Sequence, residues 1–179
     1  GAKCVNDLQD AFELRLLITT ENASQTEIEQ MSSLRTPQGV IGVFEKRNQE
    51  APLAEYLQNK KILLALDGIQ NPGNLGTIIR TCDWFGIHDI LCSHDTADCY
   101  NPKVVQATMG ALARVRLHYV DLPQVLSEIK TQGTPLYGTL LEGTNMYKSK
   151  AIPDKQHGVI IMGNEGNGIS QQIRKMVTH

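Results

Sequence analysis

The spacing of hydrophobic residues changes character near residue 60. Beyond it, short apolar runs recur as "ILLALDGI" (62–69), "DILCS" (89–93), "RVRLHYV" (114–120), "PLYGTL" (135–140) and "GVIIMG" (158–163), and each reads as a strand. Helical stretches fall between them near 76–85, 102–112 and 122–132, with a last one at 169–177. Strands that are apolar without alternation are buried on both faces. Their regular exchange with helices predicts an α/β fold, a parallel sheet covered by helices. Ligands of such sheets bind at the carboxyl ends of the strands, and two glycine-rich loops, 71–76 and 163–168, fall there.

The first fifty residues follow another pattern. "LRLLI" (14–18) reads as a strand, and "SQTEIEQMSSL" (24–34) as a helix with Ser24 or Thr26 near its cap. "GVIGVF" (39–44) is a short strand after the breaker "TPQG". The polar run "EKRNQEAP" (45–52) is the best linker. The expected organisation is therefore a small α+β domain over 1–50 and a main domain over 56–179.

Composition narrows the class without naming a chemistry. The chain has 179 residues, 41% hydrophobic and 20% charged, with a formal net charge of −2. It contains no apolar run long enough to span a bilayer and no leader pattern, so it reads as soluble, intracellular and cytoplasmic. Cys4, Cys82, Cys92 and Cys99 lack CxxC spacing, which suits reduced thiols. Charge is uneven. Residues 1–55 carry 5 Lys/Arg against 9 Asp/Glu, and 56–179 carry 12 against 10, a mild positive bias that permits an anionic partner.

Three stretches carry candidate chemistry. In "NPGNLGTIIRTCDWFG" (71–86), Pro72 and Gly73 suggest a tight turn and Gly76 a close helix entry, with a helix start suited to a phosphate. Asn74 and Arg80 converge only if Asn74 lies in the loop and Arg80 reaches back along the helix. A plain strand–turn–helix joint with a solvated arginine explains the same residues. In "GVIIMGNEGNGIS" (158–170), three glycines in six residues expose backbone groups that could grip an adenosine. Glu165 within this loop would repel a phosphate and welcome a cation or an arginine. In "NPKVVQATMGALARVRLHYV" (101–120), Lys103, Arg114 and Arg116 supply positive charge, a pattern also typical of a solvated face. GxxxxGK[ST], GxGxxG and HExxH are all absent. Cys92, His94, Asp95, Asp98 and Cys99 match no common zinc spacing, so no metal is expected.

Together, in order and spacing, these three stretches resemble the SpoU/TrmH-type RNA ribose 2'-O-methyltransferases of the SPOUT class, the knotted α/β methyltransferases. The resemblance covers about 60–179. Residues 1–50 resemble the substrate-binding domain that precedes many of these enzymes. It implies S-adenosylmethionine as cofactor, rRNA or tRNA as substrate, and a homodimer. It implies catalytic roles for Asn74, Arg80 and Glu165, and a cofactor pocket lined by Thr139, Leu140, Gly163, Asn164, Gly166 and Gly168. It places Lys103, Arg114 and Arg116 toward RNA. Gln106 and Thr108 stand where the family more often has Lys or Arg and Ser. The family's third motif, which completes the cofactor floor, knot and dimer interface, is not found before "RKMVTH" ends the chain. The expectation is thus a chain truncated before that motif, its knot incomplete. The rival readings are a non-catalytic RNA-binding protein on the same scaffold and a dehydrogenase-like nucleotide-binding domain, the latter disfavoured by the missing GxGxxG.

Overall fold

A computed structural model of the chain describes residues 1–32, 34, 36–47, 62–143 and 157–179. Five parallel strands form its main sheet: β3 (Ile62–Asp67), β4 (Asp89–Ser93), β5 (Arg116–Val120), β6 (Leu136–Gly138) and β7 (Gly158–Gly163). Their spatial order is β5-β4-β3-β7-β6. The chain winds outward from β3 through β4 to β5, then returns on the other side of β3. The order reverses between β3 and β7, and open sheets of this kind bind ligands at the carboxyl ends beside such a reversal.

The continuous apolar strands are explained by helices on both faces. Leu64 and Leu66 of β3 pack with Ile90, Cys92 and Leu117 beneath α3 (Pro72–Trp84) and α4 (Pro102–Thr108). Leu63 and Ala65 face the other way, joining Leu91, Val159 and Ile161 against Leu122, Leu126 and Ile129 of α5 (Leu122–Thr131). Alternate residues of one strand therefore serve two cores.

The first part of the chain comprises α1 (Ala2–Gln9), β1 (Leu14–Thr19), α2 (Gln25–Met31) and β2 (Val40–Phe44). β1 and β2 pair antiparallel in a sheet of their own. The cap of α2 is Ser24, which accepts from the Glu27 backbone N–H while the Glu27 carboxylate accepts from the Ser24 N–H. α1 has no counterpart in the sequence reading, yet its Leu8, with Phe12 after it, enters the same core as α3. Arg47 secures the contact by donating to the carbonyls of Ala11 and Ala113 at 2.9 and 3.0 Å, its guanidinium over the Phe12 ring. Most of the expected linker, from residue 48 on, lies outside the described residues.

Several boundaries differ from expectation for local reasons. β3 stops at Asp67 because Gly68 turns away with φ +71°. The turn expected at Pro72-Gly73 is instead the first turn of α3. Proline occupies a position where no N–H is needed, and the Asn71 side chain accepts from the N–H groups of Gly73 and Asn74. The helix expected over 102–112 breaks at Met109 and Gly110, both at positive φ, because Gly110 lies against Asp7 of α1. A 3-10 turn at Ala111–Ala113 follows, and β5 begins only at Arg116. The last helix, α6 (Gln171–Arg174), is short because the chain then runs along β6, the Thr178 N–H donating to Leu136 and the Gly138 N–H to His179.

Gly76 has a packing role rather than a turn role. A Cβ there would lie 2.4 Å from the Cβ of Ala107, so α3 and α4 cross almost backbone to backbone. Helix propensity alone favours alanine over glycine by about 1 kcal/mol. Gly76→Ala is nevertheless expected to destabilise the chain by about 1–3 kcal/mol through overpacking. Urea denaturation of the two proteins measures the difference, and the sign separates packing from propensity.

Candidate active site

In parallel pairing Asp67 stands opposite Gly163, so the loops that follow β3 and β7 leave the sheet side by side. Asn164 links them. Its Oδ1 accepts from the N–H groups of Gly166 and Asn167 at 2.9 and 3.0 Å, and its Nδ2 donates to the Gly68 carbonyl at 2.7 Å. Its backbone exchanges two hydrogen bonds with Gly168, closing the turn. The Ser170 N–H donates to Asp67 Oδ2 at 2.7 Å, fixing the far end of the loop to β3.

This frame brings together two residues 91 positions apart in sequence. Asn74 Nδ2 donates to Glu165 Oε1 at 3.0 Å. The Glu165 carboxyl is held below its ordinary value of 4.5, first by its own backbone N–H, with further help from Asn74 and the N–H groups of Asn71 and Gln70. Both side chains are exposed, so this carboxylate is ionised and accessible.

Arg80 does not join them. Asn74 lies in the first turn of α3 rather than in the loop, and six helical residues place Arg80 about 9 Å further along the axis. The exposed guanidinium has no ion-pair partner among the described residues. Arg114 and Arg116 are also placed elsewhere. Arg116 opens β5 at the amino end of the sheet, the opposite edge from the two loops. It pairs with Asp89 at 2.9 Å, and Asp89 also meets buried His118. Burial disfavours the Asp89 charge, but His118 and Arg116 outweigh it and lower its pKa. Arg114 grips Asp83 with two nitrogens, at 2.7–3.1 Å. Lys103 lies in the first turn of α4, exposed and on the carboxyl side of β4.

The glycine loop differs from the open cradle its composition suggests. The N–H groups of Asn164, Gly166, Asn167 and Gly168 are all bonded within the turn, which leaves it rigid rather than donor-rich. Gly163 is required by its own loop, since a Cβ there would lie 2.1 Å from the carbonyl carbon of Gly168. The open side is at Gly166 and Gly168. A Cβ on Gly168 would meet nothing within 4 Å, and on Gly166 only Asn164 Oδ1 at 3.6 Å. Thr139 spends its N–H and hydroxyl on the Ile161 carbonyl, both at 3.0 Å, fastening the end of β6 to β7. Leu140 packs in the same core cluster as Ile169, and Leu141 beyond it is fully exposed. A rigid turn that presents one exposed carboxylate suits a ligand with a positive centre. Sequence reading passed over Asp67, Gly68, Ser93 and Ser170, whose roles rest on contacts across strands that no local pattern encodes.

Two strand ends laced together at the carboxyl edge of a parallel sheet define a class of α/β protein, and sequence comparison gives the family. Residues 61–179 match the SpoU rRNA Methylase family, and the chain belongs to it. It is 31% identical over 164 residues to the 23S rRNA (guanosine(2553)-2'-O)-methyltransferase RlmP of Bacillus subtilis, a match covering 92% of this chain and 60% of that protein. It is 32% identical over 142 residues to the 23S rRNA (guanosine-2'-O-)-methyltransferase RlmB of Neisseria meningitidis, covering 77% and 56%. The chain thus spans little more than half the length of these relatives. A TrmH-family protein of Porphyromonas gingivalis has the same fold with a TM-score of 0.87 at 32% identity, over 99% of this chain and 76% of that one. An AdoMet-bound rRNA methyltransferase of Sinorhizobium meliloti gives 0.83 at 25% identity, over 99% and 73%.

The Asn74–Glu165 bond has a pH signature. Because the folded-state pKa of Glu165 is lowered, its contribution to stability is present above the ordinary carboxylate range and is lost as pH falls through the folded value. Asn74→Ala should move the Glu165 titration upward, toward 4.5. Carboxyl-carbon NMR titration of both proteins checks this; an unmoved midpoint would mean that the amide contributes nothing.

Proposed function

We propose that the chain carries the catalytic region of an enzyme that transfers a methyl group from S-adenosylmethionine to a ribose 2'-hydroxyl of RNA, with ribosomal RNA as the substrate class. The observation that carries this reading is the Asn74–Glu165 pair, held between the start of α3 and the loop after β7 at the strand-order reversal in a chain of the SpoU family. Relatives named for 2'-O-methylation of 23S rRNA support the substrate class, and the AdoMet-bound relative supports the cofactor.

S-adenosylmethionine, when bound, supplies an electrophilic methyl on a sulfonium. Residues of this chain would hold it through the open side of Gly166 and Gly168, with Gly163 and Asn164 shaping the turn and Thr139 and Leu140 opposite. Glu165 is too weak a base to remove the hydroxyl proton efficiently, since its pKa is lowered. Its role is to orient Asn74 and offset positive charge. Asn74 keeps an amide oxygen to accept a hydrogen bond from the ribose. Arg80, exposed one face away, meets the RNA rather than Asn74. There it steadies charge developing on the 2'-oxygen and its neighbouring phosphate. Lys103 adds attraction for the backbone from the carboxyl side.

A homodimer belongs to this reading. Trp84 and Phe85 end α3 with 85% and 74% of their surface exposed, apolar area suited to a second copy. Trp84→Lys should lower the apparent mass in sedimentation if that surface is used.

Two variants test the chemistry. Gly166→Val leaves the turn room to form and fills its open side, so calorimetry should show S-adenosylmethionine binding weakened at least about tenfold. Arg80→Ala should leave that affinity nearly intact while single-turnover methyl transfer to RNA falls by about 10²-fold or more, the scale for losing one preorganised donor. Arg80→Lys should rescue little, because a point charge does not reproduce the planar fork. Equal transfer in all three Arg80 proteins would leave a solvated helix residue and favour a non-catalytic RNA-binding role.

A further inference from the structure

Gly68 is buried, sits at φ +71°, and has both of its backbone polar groups held by side chains of neighbouring strands. Its carbonyl accepts from Asn164 at the end of β7, as described. Its N–H donates to the Ser93 hydroxyl at the end of β4, at 2.8 Å. Ser93 Oγ also lies 2.5 Å from Asp95 Oδ1 and 3.1 Å from Thr96 Oγ1. Thr96 in turn donates to the Leu66 carbonyl at 3.3 Å, and the Ala97 N–H to the Ile69 carbonyl at 2.9 Å.

A hydroxyl has one proton and two acceptor sites. The Ser93 proton goes to the Asp95 carboxylate, the strongest acceptor within reach. The lone pairs of Ser93 are then left for the Gly68 N–H. Asp95 thereby fixes the rotor of a hydroxyl whose lone pair receives the Gly68 N–H. A side chain at Gly68 would be strained, because its φ is positive and a Cβ there would lie 3.1 Å from Asp95 Oδ2.

We infer that Ser93, oriented by Asp95, is a positioning residue for the proposed methyl transfer. It holds the Gly68 peptide so that Asn164 can bind it, which in turn places Glu165 against Asn74. The inference rests on the functional reading given above, but its structural half has its own readout. Neither residue touches the Asn74–Glu165 pair. The mechanical path runs Asp95, Ser93, Gly68, Asn164, Glu165, each step a hydrogen bond or a peptide link.

The test uses the full chain with Ser93→Ala, Ser93→Thr and Asp95→Ala. In Ser93→Ala, exchange of the Gly68 amide should quicken about tenfold, the scale of one lost buried hydrogen bond. The NMR signals of the Asn74 side-chain amide should move, and the Glu165 titration should rise. Methyl transfer at saturating RNA should fall about tenfold while the KM for RNA stays within about twofold, since no RNA-facing group has changed. Ser93→Thr keeps the hydroxyl and should recover both the Asn74 signal and the rate. Asp95→Ala should lie between them. A merely structural role would lower thermal stability equally in both Ser93 variants without separating their Asn74 signals, and that result overturns the inference. So does Ser93→Ala with wild-type Asn74 signals. If wild-type protein transfers no methyl while the Asn74 and Gly68 signals respond as expected, the clamp stands and the functional reading fails.

Discussion

The Asn164 side chain is the interaction on which the candidate site depends. One amide satisfies two N–H groups inside its own turn and a carbonyl on the neighbouring strand. That use consumes both ends of the amide in the only orientation that fits all three partners. It converts a glycine-rich loop, entropically costly to order, into a closed unit attached to β3. Glu165 is the next residue, so the position of the carboxylate follows from the clamp. Parallel pairing makes this possible, because Asp67 and Gly163 end their strands in register.

Charge is arranged so that the two edges of the sheet differ in kind. At the amino edge, Arg114 and Arg116 are matched to Asp83 and Asp89, and positive charge there is largely neutralised. At the carboxyl edge, Glu165 is held by an amide and by backbone N–H groups rather than by a cation. Lys103 on α4, and Arg80 about 9 Å along α3 from Asn74 toward the amino edge, meet no acid among the described residues. The carboxyl edge therefore carries the unneutralised Lys103 ammonium and one fixed carboxylate.

The N-terminal part shows how a small piece is stabilised by a larger one. A two-stranded sheet is marginal alone, and α1 buries only Val5 and Leu8 within its own length. Leu8 and Phe12 find their partners in the core beneath α3, and Arg47 donates to carbonyls on both sides of that contact. Gly110 admits Asp7 where a side chain would collide. The break between α4 and the 3-10 turn thus serves the packing of α1.

Much of the architecture was present in the chain itself. The five apolar runs became the five parallel strands, because a sheet buried on both faces demands residues of one kind along its length. The two glycine-rich stretches fell at the carboxyl ends, one as a loop after β7 and the other as the start of α3, since parallel strands joined by helices leave nowhere else for them. The pairing of Asn74 with Glu165 could be anticipated only as membership in one site. Their contact needed the register of β3 on β7, which is a property of two strands and not of either segment. For the same reason Ser93 and Gly68 carried no signal, a serine ending one strand and a glycine ending another. Arg114 and Arg116 read as available cations because their acids, Asp83 and Asp89, lie some thirty positions earlier. The helix α1 was missed because its amphipathic pattern spans only two turns, and its partners are distant in sequence. Local pattern determined which segments are buried and where the chain turns, for these follow from the solvation of each residue. Only tertiary structure decided which polar groups meet, because a hydrogen bond depends on ångström-scale placement of partners that the sequence separates.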